Sequence, residues 1–223
     1  MQKISVLALA LAFSFNAQGQ KDTKSQDILK GVSAKYKSYK SLSASFKITI
    51  ENLKDKSKQT EKGTILIAGS KYNLSITGQQ IMSDGKTAWT YLKDANEVQV
   101  NDATAKTDGL SPTTIFTIYE TGFDTRYAGE KTVGGNTLQQ IDLTPLDKKK
   151  PYFKVELQIN KVDKNIVSAK VLNNNGTHLT YAIEKFTANP PTQDSQFAFD
   201  AKKYPGVEVV DLRWYFLLIK TKG

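Results

Sequence analysis

Asp84 is the first residue in this chain whose type and setting could do chemistry. It lies in the stretch MSDGKTAWTY, residues 82–91, where a carboxylate beside a glycine can serve as a general base or simply turn a hairpin. An acid/base pair needs a second carboxylate. Asp94, Glu97, Glu130 and Asp142 are the candidates, and no spacing among them selects a partner. The single histidine, His178, follows the turn sequence NNNG, and no serine sits in a strand-turn-helix elbow that could use it as a base. There is no cysteine, so a thiol nucleophile is excluded and a zinc site lacks its usual ligands. The glycines of VGGN lie between two strand-like runs and open no helix, which removes the dinucleotide and phosphate-loop readings. The expectation is no catalytic residue, no metal and no cofactor, with Asp84 as a turn residue.

What the chain has instead is a surplus of apolar side chains on alternating positions, and the elements that position them can be read in order. Residues 1–19 have a positive start at Lys3, an apolar run from Ile4 to Phe15 and a small-residue site at Ala17-Gln18-Gly19. That is the pattern of a cleaved export signal, too short to span a bilayer. Export without cysteine points to the periplasm and to a fold held by its hydrophobic core alone. The formal net charge is +9, and removal of Lys3 with the signal leaves 30 basic against 22 acidic residues, or +8. The lysines are dispersed, which argues against nucleic acid and leaves a solvated surface or an anionic partner.

Residues 25–39 space Ile28, Val32 and Tyr36 four apart, as an amphipathic helix does, with Thr23 and Gln26 in capping-box positions. From residue 42 the period becomes two: strands are expected at 42–52, 60–68, 71–77, 79–83, 86–93 and 97–101. SPTTIFTIYE, 111–120, starts with an N-cap serine and a tolerated proline, which predicts a short helix over 113–119. Its Ile115, Phe116, Ile118 and Tyr119 are apolar on nearly every side and suit a lid. Further strands are expected at 123–130, 137–144, 152–160, 166–173 and 178–185, and a last one at 207–211. The clearest alternation sets Phe153, Val155 and Leu157 against Tyr152, Lys154 and Glu156. The tail WYFLLIKTKG, 214–223, is apolar and of no assigned role.

These elements imply an α+β fold: some ten antiparallel strands in a strongly curved sheet or unclosed β-barrel, its concave face covered by the N-terminal helix and short lid helices. Residues 20–213 are expected to form one domain. Phe46, Ile48, Ile65 and Ile67 from the first strands, Tyr72 and Leu74 from the third, and Met82, Trp89 and Tyr91 beyond them are expected on the concave face. Phe153, Val155 and Leu157 join them from the second half, with Ile115, Phe116, Ile118 and Tyr119 as the lid. Core packing is the ordinary use of such residues. The apolar lid is what turns the reading toward a cavity for acyl chains.

The ordered pieces SLSASFKITI, KGTILIAGSKYNLSI, IMSDGKTAWTYLKDANEVQV, SPTTIF and YPGVEVVDL resemble the LolA family of periplasmic outer-membrane lipoprotein carriers over nearly all of residues 25–212. That resemblance implies an unclosed barrel of about eleven strands with a helical lid over an acyl-chain cavity. It implies a monomeric carrier without cofactor or catalytic activity. It would be loaded with acylated lipoproteins by an inner-membrane ABC transporter of the Lol type, and unloaded to an outer-membrane acceptor. Many members hold the lid with an arginine after the second strand; here the matching residue is Gly69. A carrier or sensor of free lipids or glycolipids on the same fold is the alternative.

Overall fold

The computed structural model describes residues 22–103 and 113–213. The expected export signal, the expected N-cap Ser111 with Pro112, and the tail 214–223 lie outside the described residues.

Helix α1 spans Thr23–Lys37. Its cap is Asp22 and not the expected Thr23. One carboxylate oxygen of Asp22 accepts the N–H of Ser25 at 3.1 Å, while the other accepts the N–H of Tyr127 at 2.6 Å. A carboxylate can serve both donors at once, which a threonine hydroxyl inside the first turn cannot. The Tyr127 bond, then the Ser25 bond, hold the Asp22 carboxyl below its ordinary value. At the other end, Lys35 Nζ donates to Asn165 Oδ1 at 2.7 Å and the buried N–H of Ile166 donates to Tyr36 Oη at 3.1 Å.

Twelve strands follow among the described residues: β1 (Leu42–Asn52), β2 (Lys58–Ala68), β3 (Lys71–Ile76), β4 (Gln79–Ser83), β5 (Thr87–Leu92), β6 (Glu97–Asp102), β7 (Phe123–Val133), β8 (Asn136–Pro145), β9 (Tyr152–Asn160), β10 (Ile166–Asn173), β11 (Thr177–Ala188) and β12 (Glu208–Asp211). They form one sheet in the order β12-β6-β5-β4-β3-β2-β1-β11-β10-β9-β8-β7. The ends, β12 and β7, do not pair, so the barrel is unclosed as expected. All neighbours are antiparallel except β12, which runs parallel to β6. A parallel partner cannot come from a hairpin. The chain leaves β11 and travels the length of the half-sheet to reach it.

That journey gives the sheet two cores. On the inner face, Ile28, Leu29, Val32 and Tyr36 of α1 pack with Ile141, Leu143, Val155, Leu157, Ala169 and Tyr181 of β8–β11. On the outer face, the strap 189–207 crosses β3 to β6. Asn73 Nδ2 donates to the Gln196 carbonyl at 2.6 Å, Lys71 meets Asp194 at 2.6 Å, and Asn96 Nδ2 donates to the Pro205 carbonyl at 3.2 Å. The rings of Phe199 and Tyr204 stack on each other at 4.6 Å and lie tilted against Tyr91 at 5.7 and 4.5 Å. Phe197, Met82, Val98 and Val100 are buried yet stand outside the main core. Burying a phenylalanine as completely as Phe197 is worth about 1.5–3 kcal/mol, enough to hold such a strap down.

The lid segment differs from the expected helix. Residues 113–117 form tight turns, with Thr117 N–H and Ile118 N–H both donating to the Thr114 carbonyl, and only Ile118–Glu120 closes a single 3₁₀ turn. Two adjacent threonines and a run this short do not support helix nucleation.

Candidate functional site: an apolar cavity under the lid segment

A cavity of about 900 Å³ opens on the inner face of β2 to β6, beside the C-terminal end of α1. Register decides which side chains reach it. Tyr72 pairs with Ile67 on one side and with Ser83 on the other, Ser83 pairs with Ala88, and Ala88 pairs with Asn101. Directly paired residues share a face. One row therefore runs Ile67, Tyr72, Ser83, Ala88, Asn101, and the next runs Ile65, Leu74, Ile81, Thr90. Ile67, Tyr72, Leu74, Ile81, Ala88, Thr90 and Asn101 all line the cavity.

The opposite row is Met82, Trp89 and Val100, beside Gln80, Tyr91 and Val98. Met82, Trp89 and Tyr91 thus face outward beneath the strap, and the expectation that they join Phe46 and Leu74 on the concave face is corrected. Each of these hairpins pairs an odd-numbered residue with an even-numbered one, so the inward parity alternates from strand to strand. The expected set alternates correctly from Ile67 to Tyr72 and from Met82 to Trp89, and slips one step between β3 and β4, where Leu74 and Met82 are both even-numbered. Ile81, Ala88 and Thr90 were the residues it missed, and counting parity through the Gly69-Ser70, Thr77-Gly78 and Asp84-Gly85 turns would have found them.

Phe153 is also misplaced by local alternation. Lys154 pairs with Leu172 and Tyr152 with Asn173, which leaves Phe153 as the extra residue of a β-bulge. The bulge turns Tyr152 inward and leaves Phe153 half exposed. Val155 and Leu157 point inward but lie sealed under α1, away from the cavity. Phe46, Ile48 and Ile65 share the cavity's face yet are packed into the core beside it. The Phe46 ring lies over Gly63, where even a methyl group would not fit.

Four rings gather where α1 meets the lid segment: Tyr36 lies 5.2 Å from Phe116 and 5.7 Å from Phe186, and Tyr39 lies 5.8 Å from Phe186. Phe116 lines the cavity, Ile115 and Tyr119 are buried in the core, and Ile118 packs half-buried against it. Burial raises the Tyr36 phenol to about 12 and lifts that of Tyr119 further. Neither is an acid–base group at ordinary pH. Glu120 fastens the segment to α1: its Oε1 accepts from Ser33 Oγ at 2.7 Å and pairs with Lys37 Nζ at 2.9 Å. The Ser33 hydroxyl, then Lys37, hold the Glu120 carboxyl below its usual value. Gly69, where the family arginine would stand, has φ +60° and open space around its Cα. An arginine in this left-handed turn would be strained, and the lid segment here is secured from the helix.

Asp84 turns the chain, as expected. Its Oδ1 accepts the N–H groups of Lys86 and Thr87, each at 2.8 Å, and Gly85 follows at φ +91°. The Thr87 bond is the main cause of its lowered pKa. With its carboxylate engaged in the hairpin, Asp84 is not a free base. Among the described residues no group of three His, Cys, Asp or Glu is placed to hold a metal ion. No helix among them is long and apolar enough to cross a membrane.

A family model that describes the outer membrane lipoprotein carrier protein LolA matches residues 37–200 of this chain. This chain belongs to the LolA family. Among solved structures, it is similar to an uncharacterized conserved protein from Thermus thermophilus, with a TM-score of 0.56 and 13% identity over 84% of this chain and 99% of that one. A DUF1329 family protein from Desulfovibrio piger aligns with a TM-score of 0.50 and 13% identity, over 81% and 98% of the two chains. A LolA superfamily protein from Nitrosomonas europaea aligns at 0.44 and 13% identity, over 79% and 98%. Likeness at such identities is likeness of fold. No curated protein matches the sequence. The sheet has twelve strands among the described residues where about eleven were expected, and the strand expected at 207–211 is present as β12.

Proposed function

We propose that this LolA-family protein is a non-enzymatic carrier that shields the acyl chains of lipoproteins in the cavity under residues 113–120. It would receive them from an inner-membrane ABC transporter of the Lol type and release them to an outer-membrane acceptor, working as a monomer in the periplasm after removal of residues 1–19. The observation that carries this reading is the cavity itself. At about 900 Å³ it is floored by Ile67, Leu74, Ile81 and Ala88 and bordered by Phe116. That is the upper part of the size range of ligand pockets, and each methylene moved into it from water contributes about 0.8 kcal/mol.

A second reading, a carrier or sensor of free lipids, is favoured by Lys40 on the cavity lining, where it could meet a lipid phosphate. Native mass spectrometry of the protein taken from its own envelope separates the two. Bound acylated protein supports the first reading, bound phospholipid or glycolipid the second, and an empty cavity refutes both.

A further inference from the structure

We infer that one end of the sheet is a docking surface for an anionic lipid bilayer, at the end opposite the strand termini that border the cavity. Three loops meet there: 53–57 between β1 and β2, 146–151 between β8 and β9, and 174–176 between β10 and β11. They are joined side by side through the backbone. Leu53 N–H donates to the Gly176 carbonyl at 3.0 Å, Asn174 N–H to the Pro151 carbonyl at 2.9 Å, and Asn174 Nδ2 to the Lys150 carbonyl at 3.0 Å. The cavity is bordered by Leu42 and Gly69, at the other ends of β1 and β2.

This end combines two kinds of side chain that a soluble surface has no need to bring together. Leu53 is 58% exposed, Leu146 57% and Phe153 50%. The Phe153 ring is presented by the bulge, which turns it out of the core. Around them stand Lys54, Lys56, Lys58, Lys148, Lys149 and Lys150, six lysines against the four carboxylates of Glu51, Asp55, Asp124 and Asp147. Glu51 is paired with Lys58 at 2.9 Å. Asp55 and Asp147 each accept a backbone N–H of their own turn, from Ser57 and Lys149, both at 2.9 Å. Lys54, Lys56 and Lys149 are exposed and have no side-chain partner among the described residues. Apolar tips set among uncommitted lysines match the two layers of an anionic membrane surface: acyl boundary for leucine and phenylalanine, phosphate for the ammonium groups. An acidic protein would satisfy the lysines alone and leave the exposed leucines and ring in water. The docking stands independently of what the cavity holds.

Sedimentation with protein-free vesicles tests it. The protein is expected to bind vesicles of phosphatidylethanolamine and phosphatidylglycerol, to ignore phosphatidylcholine, and to come off as salt is raised. The combined variant Lys54→Gln, Lys56→Gln, Lys149→Gln should bind on the order of a hundredfold more weakly, about fivefold for each lysine near the surface. Its thermal melt should be unchanged. In Phe153→Trp, fluorescence should be quenched by brominated phosphatidylglycerol well beyond the quenching of the unsubstituted protein. Failure to bind the anionic vesicles, full binding by the triple variant, or an unquenched Trp at 153 overturns the inference. Binding to whole envelope membranes but not to protein-free vesicles overturns it in favour of a protein partner.

Discussion

Replacing Gly63 with alanine is expected to destabilise this protein, although glycine-to-alanine changes in ordinary backbone usually do the opposite. Gly63 lies on β2 between Phe46 of β1 and Ile76 of β3. A Cβ at that position would fall 2.5 Å from Phe46 Cζ, 2.7 Å from its Cε2 and 2.8 Å from Ile76 Cγ2. Phe46 is 1% exposed, and its rigid ring is packed into the hydrophobic core. Forcing one extra carbon into a packed core costs about 1–3 kcal/mol. The reduced freedom of the unfolded chain returns about 0.4–1 kcal/mol. The net is a loss of about 0–2.6 kcal/mol, centred near 1.3 kcal/mol, which at the centre is roughly 3–5 °C in Tm for a chain of this size. Urea and thermal unfolding of Gly63→Ala, Phe46→Leu and the double variant would measure it. Phe46→Leu removes the ring atoms that clash, so the double variant should lose at least about 1 kcal/mol less than the two single losses added together. A stabilising Gly63→Ala, or strict additivity in the cycle, would show that the Phe46 ring does not lie across Gly63.

Tyr36→Phe leaves the buried Ile166 N–H without its acceptor and should cost about 1–3 kcal/mol in unfolding free energy, with the ring packing retained. Glu120→Gln should speed amide hydrogen exchange in residues 114–120 at neutral pH. Because the folded pKa of Glu120 is lowered from 4.5, its contribution is complete above that value and is lost as pH falls through the lower folded value, so the two proteins should converge in acid. Equal exchange at neutral pH would remove the Glu120 fastening. Asp22 obeys the same sign: its folded pKa is lowered from 3.8, so urea midpoints should drop as pH falls through the lower folded value, and Asp22→Asn should flatten that part of the profile. A photoreactive group at Ile81 should capture cargo in the envelope while one at Trp89 should not; the reverse pattern would place the cargo on the strap side.

Much of the fold was legible because its strands are locally explicit. Phe46, Ile48 and Ile50 alternate with polar residues, Asp84-Gly85 marks a turn that the structure builds from the Asp84 carboxylate, and Ile28, Val32 and Tyr36 mark the helix face that becomes buried. The candidate site was legible only in part. Ile67, Tyr72 and Leu74 lie where the alternation put them. Met82, Trp89 and Tyr91 do not, because β4 and β5 are apolar enough on both faces that alternation cannot say which face is inside. Phe153 fell to a bulge, which adds a residue without leaving a mark in the apolar pattern. The short helix expected at 113–119 became turns, since the Phe116 ring packs on Tyr36 and Phe186 and Glu120 bonds to Ser33 and Lys37 of α1, so the segment is held by contacts with distant residues and not by helical hydrogen bonding of its own.

By itself the sequence determined the class of the protein. It has the period-two runs of a curved sheet and orders its pieces as the LolA family does, because these depend on residue type and near neighbours along the chain. Only the tertiary structure decided which face of β3 to β6 becomes the cavity. The strap 189–207 returns from about a hundred residues away, packs Phe197, Phe199 and Tyr204 on one face, and leaves the other to α1 and the lid segment. That choice rests on register carried through successive hairpins and on contacts between distant parts of the chain, and neither is contained in any short stretch of it.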